Sequence, residues 1–137
     1  MNIASRPAKQ LVGNIGLYYI CYELSKRGWN VLPTSRNARG IDIVIYSQNA
    51  AKKHTIQIKS LSKRAPVPLG SRENGMTGDF LIICRNVFKN PEIFVATKAS
   101  IESEVHKGKK DGRISFWLQP KDYEKYKDKW NTVGSGY

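Results

Sequence analysis

The chain has 137 residues, is 40% hydrophobic and 10% aromatic, and carries a formal net charge of +12. That length allows one buried core and excludes two, so a single domain over 1–137 is expected, and the apolar and aromatic content excludes a disordered chain. The charge is one-sided: residues 1–72 hold 12 Lys and Arg against Glu23 and Asp42, a net of +10, whereas residues 73–137 hold 11 against 9 acids, a net of +2. A field of this kind attracts polyanions. Nucleic acid fits it better than a membrane, because no basic amphipathic helix with a broad apolar face accompanies it; a merely solvated, solubilising surface is the alternative.

The first helix is expected from about Pro7 to Arg27, with Ser5 or Arg6 near its start, Lys26 and Arg27 at its negative end and Gly28 stopping it. Leu11, Ile15, Tyr18, Tyr22 and Ser25 repeat at three- and four-residue intervals, widened by Val12, Tyr19 and Leu24, and predict the stripe that lies on a sheet. Glu23 and Arg27, four apart, predict an ion pair. The apolar run from Leu11 to Tyr22 is interrupted by Asn14, lacks a small-residue cleavage site and is too short to cross a bilayer. Cys21 and Cys84 sit in apolar contexts without a second pair and read as reduced core thiols, which implies a cytoplasmic protein. His54 and His106 are isolated, and no Cys-x-x-Cys spacing predicts zinc.

Trp29–Pro33 reads as a first strand, and Thr34–Gly40 as a polar loop in which Arg36 and Arg39 are candidates for clamping a nucleic-acid backbone, with solvated loop arginines as the alternative. Two β-branched runs follow. In one, Ile41, Ile43 and Ile45 share a face and Asp42, Val44 and Tyr46 the other; in the next, Ile56 and Ile58 oppose Thr55, Gln57 and Lys59. A hairpin turn centred on Asn49-Ala50 would set Asp42 opposite Gln57, with Lys59 one step along. A carboxylate between isoleucines loses hydration that only a cation or hydrogen bonds replace. Two readings stay open: a structural ion pair of Asp42 with Lys59, with Gln57 as a hydrogen-bonding neighbour, or an oxygen site for a divalent cation with Lys59 facing phosphate or hydroxide.

The stretch from Ser60 to Gly78 is rich in Pro, Gly, Lys and Arg, and is expected to be a mobile flap that offers Lys63, Arg64 and Arg72 to a bound strand. Asp79–Arg85 and Glu92–Thr97 read as strands covered on both faces, joined around Lys89-Asn90-Pro91. A helix capped by Thr97 or Ser100 is expected through about His106, followed by a charged loop over Lys107–Gly112 and a final short strand or extended segment over Arg113–Leu118. Pro120 suits the first turn of a last helix aligning Tyr123, Tyr126 and Trp130 as a packing stripe, and the tail from Thr132 is expected to be loose. The order gives an α/β domain with a mixed sheet and helices on its faces.

The series Gly13-Asn14-Ile15-Gly16, Glu23 to Trp29, Asn37 to Asp42 and Gln57-Ile58-Lys59 resembles small PD-(D/E)XK nucleases, the superfamily of many restriction endonucleases and archaeal Holliday-junction resolvases. The resemblance covers roughly the first 60 residues. It implies a restriction-endonuclease-like mixed sheet flanked by helices, with Asp42 at the position of the first acid, Lys59 at that of the lysine, and Gln57 where a second acid usually stands. Asp42, Gln57 and Lys59 are then the implied catalytic residues, with Asp42, Gln57 and the Ile58 carbonyl as ligands of Mg²⁺ or Mn²⁺. Family members add a glutamate on the first helix; the corresponding positions are Leu17 and, a turn earlier, Asn14. The implied activity is metal-dependent hydrolysis of DNA phosphodiesters. A non-catalytic nucleic-acid-binding module with a degenerate nuclease fold is the alternative, and a structural subunit of a larger restriction, repair or mobile-element complex is a third. Enzymes of the family often act as dimers, which makes a homodimer a further implication.

Overall fold

The computed structural model describes residues 8–35, 40–71 and 77–137. Helix α1 spans Lys9–Lys26, and strands β1 (Asn30–Pro33), β2 (Ile43–Tyr46), β3 (Lys53–Ser60), β5 (Phe80–Arg85) and β6 (Glu92–Thr97) form a five-stranded sheet in the order β1-β2-β3-β5-β6. β3 and β5 run parallel and the other neighbours antiparallel, so the sheet is mixed. A second, three-stranded sheet has the order β4-β8-β7, from β4 (Val67–Gly70), β7 (His106–Lys110) and β8 (Arg113–Leu118). Short helices α2 (Lys98–Glu102) and α3 (Pro120–Tyr123) complete the order, and single 3-10 turns follow at Glu124–Tyr126 and Trp130–Thr132.

Alternation along the strands separates two cores. Ile43, Ile45, Ile56, Phe80, Ile82 and Cys84 face α1, where Ile20 and Leu24 meet them. Leu81, Ile83, Phe94 and Ala96 face the other way and pack against Val67 and Leu69 of β4, Phe116 and Leu118 of β8, and Tyr123. β5 is buried along its whole length, as a strand between two apolar layers must be. β6 ends the sheet, and its edge is covered by a bridge from Phe94 to Lys127.

The buried face of α1 is not the expected one. Gly16, Ile20 and Leu24 point inward, while Leu11, Tyr18 and Tyr22 are exposed. Apolar residues occur all round this helix, so spacing alone admits several stripes, and close approach selects among them. A Cβ on Gly16 would stand 1.9 Å from the Ser60 Oγ, so the helix crosses β3 at a position without a side chain. The Glu23–Arg27 pair forms as expected, at 2.7 Å. The start of the helix expected at Ser5, Arg6 or Pro7 lies outside the described residues.

Five further expectations are corrected. Part of the supposed flap is β4: Val67 is fully buried and Leu69 nearly so, and Pro68 sits on an edge strand, where its missing N–H costs no ladder bond. α2 ends at Glu102, and His106 begins a strand instead. The supposed charged loop is a β-hairpin turning at Asp111-Gly112, both at positive φ (53° and 79°), the conformation of a two-residue primed turn. The tail is tied down: Val133 enters the α1-side core, Trp29 Nε1 donates to Gly134 O, Gly136 N donates to Arg27 O, and Gln48 N donates to Gly136 O. The last helix is likewise shorter than its stripe; Tyr123 lies in the second core, and Asp128 at positive φ breaks the run before Trp130.

Candidate active site

The β2–β3 hairpin delivers the proposed site. Its register, Ile43↔Ile56 through Tyr46↔Lys53, is the one set by a turn centred on Asn49-Ala50. Ser47 and Asn49 build that turn with side chains, Ser47 Oγ meeting Asn49 Oδ1 and accepting from Lys52 N, and Ala50 takes the positive φ. Asp42 lies one residue beyond β2 and leaves the regular ladder. Its N–H donates to Ile56 O at 2.9 Å, and its Oδ2 accepts the Ile58 N–H at 2.6 Å. The carboxylate thus takes the place of the next main-chain carbonyl at the edge of β3, between Gln57 and Lys59. From the other side Thr34 fixes the same residue: its N–H donates to Asp42 O at 2.9 Å, and its hydroxyl bonds the Ile41 and Asp42 carbonyls. The sequence carries only a faint signal for Thr34, a hydroxyl residue one step past a strand ending in proline.

The electrostatics of this edge are unbalanced. Burial pushes the Asp42 pKa up, and the Ile58 N–H and the Lys59 charge offset this only in part. Lys59 acts through space: among the described residues no Asp42–Lys59 ion pair forms, which sets aside the structural pair as the reason for the carboxylate. Gln57 is 7% exposed, and its Oε1 is fully buried without a hydrogen-bond partner among the described residues. An orphaned buried oxygen costs roughly 1–3 kcal/mol. The Ile58 C=O leaves the strand on the same edge as its N–H, beyond the last β2 pairing, and accepts no main-chain hydrogen bond among the described residues.

Two oxygens, the Asp42 carboxylate and the Ile58 carbonyl, therefore belong to one strand edge, and the flanking Gln57 and Lys59 send their amide and ammonium from the face of the same strand. This set suits a hard divalent cation of the Mg²⁺ class and does not suit zinc. Among the described residues no three His, Cys, Asp or Glu side chains converge, so a cation here would rest on a single carboxylate. On α1, the positions where the resemblance expects an acid are Asn14 and Leu17, both partly buried.

The flanking cations divide. Arg36, Arg39 and Arg72 lie outside the described residues. Lys63 is exposed, but Arg64 is bonded to Glu124 at 2.7 Å. Glu124 also holds Arg85, which is 8% exposed, pairs with Glu92 and lies over the Phe94 ring. Arg64 is thus part of a network joining the β3–β4 connection to the second core, with its side chain still 60% exposed.

No family model matches the sequence, and no curated protein matches it. Among solved structures, the fold is similar to that of a bacterial homing endonuclease, I-Ssp6803I, with a TM-score of 0.65 and 17% identity, covering 93% of this chain and 94% of that one. The Archaeoglobus fulgidus Hjc, a Holliday junction resolvase from an archaeal hyperthermophile, aligns at a TM-score of 0.49 and 15% identity over 78% of this chain and 90% of that one. The chain shares the overall fold of the homing endonuclease, a mixed α/β arrangement with helices on its sheets. Among the described residues no helix is long and apolar enough to cross a membrane.

Proposed function

We propose that the protein is a divalent-metal-dependent endonuclease that hydrolyses phosphodiester bonds in DNA. The observation that carries this reading is the half-buried Asp42 carboxylate held on the Ile58 N–H, with the adjacent Gln57 Oε1 buried and without a hydrogen-bond partner among the described residues. Asp42, Gln57 Oε1 and the Ile58 carbonyl would hold Mg²⁺ or Mn²⁺, which when bound supplies Lewis-acid charge and an acidified water. The remaining work falls to the chain. Asp42 is locked by Thr34 and Ile58 and needs no rearrangement to act. Lys59 places an ammonium beside the carboxylate, where it orients the attacking hydroxide and offsets the charge that develops on the phosphoryl oxygens. The fold's likeness to a homing endonuclease supports DNA as the substrate, and the two free thiols, Cys21 and Cys84, suit a cytoplasmic enzyme. A homodimer would present two such edges to two strands.

The single carboxylate favours a second reading, a DNA-binding module that keeps the fold without cleaving. The two separate on linkage. With only one negative charge and Lys59 beside it, the site should hold Mg²⁺ weakly until a substrate phosphate adds charge, so an enzyme shows mutually dependent metal and DNA affinities. Titration with Mn²⁺ against linear, nicked and branched DNA, scoring binding and cleavage separately, tests this. Metal-independent binding with no cleavage of any form would select the binding module.

A further inference from the structure

The charge count by halves makes the C-terminal half nearly neutral, yet four of its seven cations without an ion pair among the described residues gather on one hairpin, with Lys89, Lys121 and Lys129 scattered elsewhere. Arg85, Lys98, Lys125 and Lys127 each face an acid. By contrast Lys107, Lys109, Lys110 and Arg113, all on the β7–β8 hairpin, have no ion-pair partner among the described residues, and only Asp111 at the turn opposes them. Every residue from 109 to 115 is exposed. In a paired ribbon these residues alternate between two faces: Lys110, Arg113 and Ser115 share one with Trp117, while Lys109 and Ile114 share the other with Phe116. Exposure of both faces means that the ribbon's end stands clear of the body, about 10 Å beyond the Gly108–Ser115 pair at ~3.3 Å per residue. Its base is stiff: Phe116 and Leu118 are buried in the second core, and the Trp117 ring lies across Gly108 and stacks on His106 at 5.8 Å.

We propose that the β7–β8 hairpin is a DNA-binding arm that lies along a groove of duplex DNA, with Lys107, Lys109, Lys110 and Arg113 on the phosphates of its walls. A two-stranded ribbon fits the major groove, about 12 Å wide, and like charges held unpaired on a projecting turn are repaid by a polyanion. A primed Asp-Gly turn keeps the ribbon narrow at its tip. The identity of the ligand rests on the nuclease reading; the arm itself rests on the hairpin's charge and exposure.

The test is fluorescence anisotropy of a labelled duplex in Ca²⁺ over a range of salt, with wild type, the quadruple variant Lys107→Gln/Lys109→Gln/Lys110→Gln/Arg113→Gln, the triple variant Lys107→Arg/Lys109→Arg/Lys110→Arg, and Asp42→Ala. Four lost phosphate contacts should weaken binding at least tenfold at low salt and flatten the log–log salt slope by about 3.6, at about 0.9 per contact. The arginine variant should keep both, and Asp42→Ala should keep the salt slope while losing cleavage and the Ca²⁺-dependent part of the affinity. Should the quadruple variant unfold, Lys109→Gln and Arg113→Gln singly should each lower the slope by about 0.9. A folded glutamine variant with wild-type affinity and slope overturns the arm and leaves the nuclease reading standing. Wild type that ignores duplex DNA at low salt overturns both.

Discussion

Replacing Gln57 by methionine should make the protein more stable and the proposed site useless. The Gln57 side chain is 7% exposed and its Oε1 has no partner, so the folded state carries a desolvation cost of roughly 1–3 kcal/mol that methionine removes. A swap of similar volume in a packed layer costs less than about 1.5 kcal/mol, which leaves a net gain of about 1 kcal/mol. For a chain of this length that is a rise in Tm of roughly 3–5 °C, measured by calorimetry or urea unfolding in EDTA. Addition of Mn²⁺ with a non-cleavable duplex should then raise the Tm of wild type more than that of the variant, reversing their order, because only wild type keeps all its oxygen donors. Gln57→Glu should show the opposite pattern, less stable in EDTA and more responsive to metal. A Gln57→Met protein destabilised by more than about 1 kcal/mol in EDTA would show that the amide oxygen is satisfied in the fold. Equal metal responses would remove Gln57 from the site.

Three further outcomes follow from the packing. Gly16→Ala should cost about 1–3 kcal/mol in urea unfolding, because its Cβ meets Ser60 Oγ at 1.9 Å; a neutral effect would mean that α1 does not cross β3 there. Deleting residues 62–75 removes β4 with the fully buried Val67, so cooperative unfolding should be lost or sharply weakened; an intact melting curve would show that the second sheet stands without its edge strand. Glu92, held down to about 2 by hydrogen bonds from Arg85, is more acidic folded than unfolded, so its contribution is present above pH 4.5 and is lost as pH falls toward 2. Glu92→Gln should flatten the acid limb of stability by at most about 3 kcal/mol, and an unchanged limb would contradict the pairing.

The parts of this fold legible in the sequence are those set by local pattern. Alternating isoleucines gave β2 and β3, and the loop length between them set the register of Asp42 against β3. What the pattern could not show is how side chains leave regular geometry. Asp42 was expected to stand on the sheet face across from Gln57, and it instead turns to the strand edge to cap Ile58, a choice decided by an unpaired N–H that only the finished sheet exposes. The α1 stripe was misread because tyrosines with solvated hydroxyls mimic a core period, while the residue that decides the crossing, Gly16, has no hydropathy signal. β4 is hidden by Pro68, which an edge strand tolerates, and the β7–β8 hairpin by its lysines, although Asp111-Gly112 is a turn signal in plain view. The network of Arg64, Arg85, Glu92 and Glu124 joins residues far apart in the chain, and no spacing announces it.

The central claim is that Asp42 is a catalytic carboxylate, and nicking of supercoiled plasmid in Mg²⁺ and in Mn²⁺ by wild type and Asp42→Asn tests it most directly. Asparagine keeps the shape and can still accept the Ile58 N–H through its amide oxygen, so the strand edge survives and only the charge is lost. Wild type should nick, and Asp42→Asn should fall to background while binding the same DNA in EDTA as tightly as wild type does. An Asp42→Asn protein that nicks at the wild-type rate, or wild type that leaves every plasmid intact in both metals, would contradict the account.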